Sequence, residues 1–227
     1  VSNIGQAPTL GSWRDGMAMN LDPNNPVTVA VFAKAPIPGF AKTRLIPLLG
    51  AEGTARLQDR LISRTIATAL KAAIGPVHLW CAPDSRHAAF ADLARQHPVG
   101  LRDQGTGTLG ERLHAAFVAE ATFAPALVVG VDCPPLTPMH LRLCADHLRS
   151  KDAVFLPAED GGYVLVGLRQ PDARVFEDIA WGGPAVMEVT RWRLEERNLT
   201  WSEPETLWDL DRPEDFQRWE AFCDDAA

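Results

Sequence analysis

Apolar residues run almost unbroken through Val27-Thr-Val-Ala-Val-Phe-Ala33 and again through Ala126-Leu-Val-Val-Gly-Val131. Short runs of this kind, rich in β-branched residues and bounded by Pro26 and Lys34 in the first case, have no polar face to give to water. They predict strands buried on both sides, and so a mostly parallel sheet covered by helices. Between them the pattern changes period. Over 51–73, Ala55, Leu57, Leu61, Ile62, Ile66 and Leu70 recur at mostly three- and four-residue steps, which predicts an amphipathic helix. The same reading predicts strands at 77–81, 99–102, 153–156 and 163–168, and helices at 86–96, 109–120, 138–149, 185–197 and 213–222. Strands alternating with helices mean βαβ units with right-handed crossovers, a three-layer α/β/α Rossmann-like architecture.

At 227 residues with 46% hydrophobic and 22% charged positions, the chain is expected to form one domain over 27–227. Residues 1–26, rich in Gly, Pro, Asn and Asp and not starting with Met, read as a poorly ordered or expression-derived leader. The net charge of −7 repels phosphate backbones and anionic lipid, so neither nucleic acid nor a membrane is expected as partner. No apolar run approaches the roughly 18 residues of a membrane span, and no signal peptide is evident, so the expected address is cytoplasmic. Cys81, Cys133, Cys144 and Cys223 show no C-x-x-C spacing; they read as reduced thiols, with no zinc site. Asn198-Leu-Thr200 matches a glycosylation sequon that a cytosolic chain carries by chance. Trp181, Trp192, Trp201, Trp208 and Trp219 read as core or cap packing rather than base stacking.

An acidic protein that handles a phosphate ligand has to gather positive charge locally, and four loops have the residues for such a site. The first follows the first strand and places Lys34, Lys42 and Arg44 within eleven residues stiffened by Pro36, Pro38 and Gly39. Such a loop presents cations to a polyphosphate, or is simply solvated. The glycine needed for a Walker P-loop is absent. The second is Gly130-Val-Asp-Cys-Pro-Pro-Leu136. Asp132, ending an apolar strand, is costly to bury without a partner, and a divalent metal or a helix cap would equally supply one. The third, Pro157-Ala-Glu-Asp-Gly-Gly-Tyr163, reads either as a ligand-contacting turn or as a plain hairpin. In the fourth, Asp209-Leu-Asp211, an extended backbone points both carboxylates the same way, able to share a cation; Asp211 equally reads as the cap of the next helix.

These segments together, in this order, resemble a family of bacterial glycosyltransferase-like proteins within the nucleotide-diphospho-sugar transferase superfamily, of the GT-A fold, similar to 2-phospho-lactate guanylyltransferase. The resemblance spans 27–219 and rests on Phe32 to Leu45, Leu109-Gly-Glu-Arg112, Gly130 to Pro134, Pro157 to Tyr163, and Asp209-Leu-Asp211 with Pro213-Glu-Asp215. It implies that Lys34, Pro38, Gly39, Lys42 and Arg44 hold a triphosphate, with Gln104, Gly107 and Gly110 at the base or ribose. It further implies a Mg²⁺ or Mn²⁺ ion on Asp132 and Asp211, an acceptor beside Asp160, Gly161 and Gly162, and catalysis by Lys42, Arg44 and Asp132. Gly182-Gly183 stands where the family commonly has a small hydroxylated pair.

The expected activity is therefore transfer of a nucleotidyl group from a nucleoside triphosphate to a small phosphorylated or carboxylated acceptor. Such an acceptor is already ionised at neutral pH, which suits four loops without a histidine. Glycosyl transfer from a nucleotide sugar, with Asp160 or Glu159 as base, and a non-catalytic nucleotide-binding module are the alternatives. A homodimer is left open.

Overall fold

The computed structural model describes residues 26–120 and 125–224. All but the last position of the leader read at 1–26 lies outside the described residues. Seven strands, β1 (Thr28–Lys34), β2 (Val77–Ala82), β3 (Val99–Asp103), β4 (Ala126–Gly130), β5 (Ala153–Pro157), β6 (Tyr163–Leu168) and β7 (Trp201–Ser202), form one sheet in the order β3-β2-β1-β4-β6-β5-β7. β1 pairs in parallel with β2 and β4, β2 with β3, and β5 with β7. β6 alone is reversed, antiparallel to β4 and to β5. The sheet is thus mostly parallel, as the apolar runs require, with a single hairpin between β5 and β6.

Six helices, α1 (Ile46–Ala72), α2 (Ala88–Gln96), α3 (Leu109–Glu120), α4 (Pro138–His147), α5 (Val186–Glu196) and α6 (Pro213–Asp224), cover both faces. Alternate strand residues point to opposite sides, and the core divides accordingly. Val29, Val31, Leu127 and Val129 pack with Leu61, Ile62 and Ile66 of α1, Phe90 of α2, Leu141 of α4 and Trp219 of α6. Ala30, Val128, Phe155 and Val166 pack on the other face with Leu113 and Phe117 of α3 and Leu194 of α5. Each large side chain so buried contributes on the order of 1.5–3 kcal/mol.

The predicted start of the first helix at 51 corresponds to a kink: Gly50 has φ 69° and ψ 167°, outside helical geometry, so the periodic apolar face begins just after it. Trp208 and Trp219 lie in the core, as expected, whereas Trp192 is 54% exposed. It carries the Arg193 guanidinium 4.6 Å from its ring centroid, so the packing expected of it is only this surface cation–π contact.

α4 begins on a reciprocal cap, in which the Thr137 side chain accepts from the His140 N–H and His140 Nδ1 accepts from the Thr137 N–H. The other ring nitrogen lies 3.0 Å from Glu205. Burial holds the His140 imidazole below its ordinary value of 6.5, against the pull of Glu205. The unfolded chain therefore binds this proton more readily than the folded one, and its contribution to stability is lost as pH falls below about 6.5. Glutamine at 140 keeps the capping geometry. His140→Gln is expected to flatten the loss of stability between about pH 7.5 and 5.5, read from urea midpoints of the two proteins; equal slopes would refute this.

Candidate active site

The chain steps from β1 out through β2 to β3, then returns to the other side of β1 to lay down β4. Where a parallel sheet reverses its order in this way, the loops leaving the two central strands diverge and open a crevice at their carboxyl ends. A cleft of about 560 Å³ lies there. Among its lining residues are Lys34, Lys42, Arg44, Gln104, Asp132, Asp160, Gly162 and Asp211, which come from segments spread over 178 positions of the chain.

The remaining candidates do not line this cleft, for reasons of local packing. Pro38 faces a separate hollow between α1 and α2, and Gly39 sits in the turn closed by the Phe40 N–H bond to the Ile37 carbonyl. Gly107, at φ +102°, lies against the Glu111 carboxylate. Gly110 allows close approach, since a Cβ there would stand 2.7 Å from the Phe176 carbonyl oxygen and 3.2 Å from Trp181. Gly161 likewise underlies the cleft wall, packed on the Pro184 carbonyl.

Lys42 is the residue that ties the loops together. Its side chain is 2% exposed, and its ammonium meets the Asp132 carboxylate at 2.7 Å and also donates to the Leu210 carbonyl. The Leu210 N–H in turn donates to the Asp132 carbonyl at 2.7 Å. Three segments distant in sequence are thereby fixed around one buried cation, while the Asp132 carboxylate stays about half exposed (49%) to the cleft. Asp132 is thus not buried as the apolar strand before it suggested, and its partner is the buried lysine.

Leu210, held by this pairing, is fully buried, and its neighbours Asp209 and Asp211 both line the cleft. This is the alternation read from Asp-Leu-Asp. Asp211 is ion-paired with Arg44, and its own N–H is capped by Asp215. Asp209, read with Asp211 as able to share a cation, is the member of that pair absent from the ligand set the resemblance implies. Burial, then the carboxylates of Asp160, Asp211 and Asp132, push it up to about 6, because negative charge is concentrated on this side of the cleft.

On the β1–β2 side the polar groups differ. The Gln104 amide nitrogen donates to the carbonyls of Ala33 at 3.3 Å and Trp80 at 2.8 Å, clamping the ends of the two strands. Its oxygen accepts from Arg112 Nη1 at 2.8 Å. Gln104 therefore has no side-chain N–H left for a ligand, and Arg112, a lining residue, is the charged group it holds there. Glu111 is turned the other way into a reciprocal cap with Thr108, so within Leu109-Gly-Glu-Arg112 only the leucine and the arginine reach the cleft. Gln58 of α1 also lines it and donates to the Lys34 carbonyl at 2.9 Å.

The third loop is both things the sequence allowed. It is the β5–β6 hairpin, with Asp160 accepting from the Gly162 N–H at 2.9 Å, and Asp160 and Gly162 line the cleft. Glu159 is paired with Arg218 instead. Gly182 adds open space opposite, and Cys133, whose thiol burial pushes up to about 12, is chemically inert there.

As a metal site, the donor set is all carboxylate oxygen, the chemistry of Mg²⁺ and Mn²⁺. Among the described residues no group of three or more His, Cys, Asp or Glu converges as ligands. Mg²⁺ commonly takes one or two carboxylates and completes its shell with substrate phosphates and water; Asp132 and Asp211 both line the cleft with that donor chemistry, each also paired with a cation, Lys42 and Arg44.

A family model described as "Uncharacterized protein conserved in bacteria (DUF2064)" matches residues 65–183, a stretch that contains Gln104, Arg112, Asp132, Asp160 and Gly162. No curated protein matches the chain. Among solved structures, a candidate nucleotide-diphospho-sugar transferase from Desulfovibrio desulfuricans G20 is similar at a TM-score of 0.73, with 25% identity over 83% of each chain. The fold is shared with CMP:2-keto-3-deoxy-manno-octonic acid synthetase solved with CTP, at a TM-score of 0.59 and 10% identity over 89% of this chain and 100% of that one. It is shared too with 4-diphosphocytidyl-2C-methyl-D-erythritol synthase from Anaerococcus prevotii DSM 20548, at a TM-score of 0.58 and 10% identity over 88% and 99%.

Proposed function

The chain belongs to this bacterial family, DUF2064, and from that premise we propose that it is a metal-dependent nucleotidyltransferase acting on a small phosphorylated or carboxylated acceptor. The observation that carries the reading is the make-up of one cleft. Four cations, Lys34, Lys42, Arg44 and Arg112, and four carboxylates, Asp132, Asp160, Asp209 and Asp211, line it at the point where the strand order reverses. In a chain of net charge −7 such a concentration of cations suits a polyphosphate. The fold's occurrence in proteins named as synthetases and synthases of cytidylyl compounds supports it.

In this reading the ionised acceptor attacks the α-phosphorus of a nucleoside triphosphate and pyrophosphate leaves, so no residue has to remove a proton. Lys34, Arg44 and Arg112 orient the phosphates, and Lys42 fixes the Asp132 and Asp211 loops at one spacing. Asp160 and the Gly162 turn border the acceptor. A Mg²⁺ or Mn²⁺ ion would be held by Asp132 and Asp211 and would supply neutralisation of phosphate charge.

Glycosyl transfer from a nucleotide sugar is the second reading, favoured by the 25% identity to the candidate nucleotide-diphospho-sugar transferase and by the Asp160 carboxylate on the cleft wall. Products separate the two. With Mg²⁺ or Mn²⁺ and a panel of phosphorylated acceptors, the expected result is pyrophosphate release from a nucleoside triphosphate. Nucleoside diphosphate released from a nucleotide sugar would establish the second reading, and tight binding with neither product would leave a binding module.

A further inference from the structure

The four loops of the cleft contain no histidine, but a buried one joins the segments that carry two of them. His140, in the first turn of α4, has a side chain only 4% exposed. The Thr137 N–H points at its Nδ1 from 3.0 Å, and a backbone N–H has nothing to accept with. Nδ1 therefore carries the lone pair and the ring proton sits on Nε2, where it is donated to the Glu205 carboxylate at 3.0 Å. One tautomer is thus fixed by the helix cap itself. Glu205 is the one charged group acting on the ring among the described residues. β4 and β5, on which α4 packs, have no ionisable side chain. On α1, Arg64 is engaged at the Pro134 carbonyl. On α4 itself, Arg142 is turned to the Lys71 and Ala72 carbonyls, Asp146 to Arg149 and His147 to the Ser202 hydroxyl.

Thr137 and His140 close the turn that begins at Asp132, and Glu205 opens the stretch that ends in Asp209 and Asp211. These two segments meet twice. At the cleft the Leu210 N–H donates to the Asp132 carbonyl, and Lys42 bonds to both residues. Behind it, His140 meets Glu205. Between the two meetings the Leu207 N–H donates to the Pro157 carbonyl and the Leu207 carbonyl accepts from the Glu159 N–H, which registers the same segment on the loop of Asp160. A segment held at one end pivots about that point, whereas one held at both ends has a single position. The rear tie depends on protonation. A proton entering at Nδ1 consumes the lone pair, so two N–H groups then face each other and the ring leaves the cap, drawn towards Glu205. Burial holds the imidazole below 6.5, so the tie is intact at neutral pH and yields in mildly acid solution.

We infer that His140, as the neutral Nε2–H tautomer, is a positioning residue of the cleft: with Glu205 it fixes the wall of Asp209 and Asp211 against Asp132, and a second proton on the ring releases it. This inference rests on the nucleotide-handling reading above and adds to it a residue that touches no ligand. It gives binding a pH dependence that originates outside the cleft.

The test is isothermal titration calorimetry of the whole chain in Mg²⁺ with ATP, CTP, GTP and UTP singly, at about pH 7.5 and about pH 5.5, with circular dichroism confirming the fold at both. His140→Gln keeps an acceptor for the Thr137 N–H and a donor for Glu205 but takes up no proton, whereas Glu205→Ala breaks the tie and leaves the cap. Titration of Asp209 and of the nucleotides themselves is common to all three proteins and cancels in the comparison. Expected is that wild type loses roughly three- to tenfold more affinity than His140→Gln between the two pH values, and that Glu205→Ala is weaker than wild type by a similar factor at the higher one. A merely structural role would lower unfolding midpoints without this pH-linked difference in affinity. A loss in His140→Gln equal to that of wild type, or wild-type affinity in Glu205→Ala, overturns the inference and leaves the nucleotide reading in place. A wild type that binds none of the four nucleotides at either pH overturns that reading and the positioning role with it.

Discussion

Exchanging Asp132 for asparagine is expected to cut turnover by roughly 10²- to 10³-fold while leaving the fold intact. The carboxylate is the one charged group that faces the cleft at the end of β4, the strand beside β1 at the reversal of strand order, and it is proposed as one of two metal ligands. Its other tie, the 2.7 Å contact to the buried Lys42 ammonium, decides which variant is clean. Alanine would leave that ammonium with the Leu210 carbonyl as its remaining protein acceptor, and stranding a buried charge is costly. Asparagine keeps an acceptor oxygen within reach and removes only the charge. The ammonium that loses its counter-charge is 2% exposed while Asp132 is 49% exposed, so the expected stability loss lies between that of an exposed pair and that of a broken buried one, about 1–3 kcal/mol. Steady-state rates and a thermal melt measured side by side check both halves. A variant with wild-type rates would remove Asp132 from the chemistry, and one that fails to fold would make Lys42 and its partners the more important finding.

The fold was legible where the physics is local. A strand buried on both faces has to be apolar throughout, so β1 and β4 stand out in the sequence, and the loops that follow them are where a parallel sheet exposes ligands. Asp132 and Lys42 were found by that rule, and the Asp209–Asp211 pair by its alternation with Leu210. What the rule does not carry is direction and distance. Nothing in Tyr163–Leu168 distinguishes a strand running up from one running down, and the reversal of β6 is fixed by the short turn at 158–162. β7 is two residues long and has no period to read. Arg112 and Gln58 sit on helices, where a polar residue near an end looks like any solvated position, although Arg112 fell within a quoted motif. Lys42 reads as a solvated loop cation because the partners that bury it are 90 and 168 residues away.

The same long-range dependence sets the last expectation, that Gly161→Ala destabilises the protein by about 3 kcal/mol or more and lowers the unfolding midpoint by roughly 6–12 °C. Two effects add at this position. The backbone is at φ +91°, which side chains other than glycine adopt only under strain of about 1–2 kcal/mol. A Cβ would also stand 1.9 Å from the Pro184 carbonyl oxygen and 2.7 Å from its carbon, both backbone atoms that no rotamer change can move. The contact cannot be relieved by shifting the turn outward, because the Gly161 carbonyl accepts from the Met187 N–H at 2.8 Å and its N–H donates to Ala158 at 3.0 Å. Gly182→Ala separates the two effects. That glycine is at φ +80° with nothing within 4 Å of the added atom, so it is expected to cost the strain of about 1–2 kcal/mol alone. Equal losses for the two variants, read from denaturant midpoints, would show that the loop yields and that Pro184 does not hold it. Because the turn that Pro184 supports carries Asp160 and Gly162 into the cleft, Gly161→Ala should also weaken binding of the proposed acceptor in whatever fraction stays folded, whereas affinity for a triphosphate, proposed to rest on Lys34, Arg44 and Arg112, should stay near that of wild type.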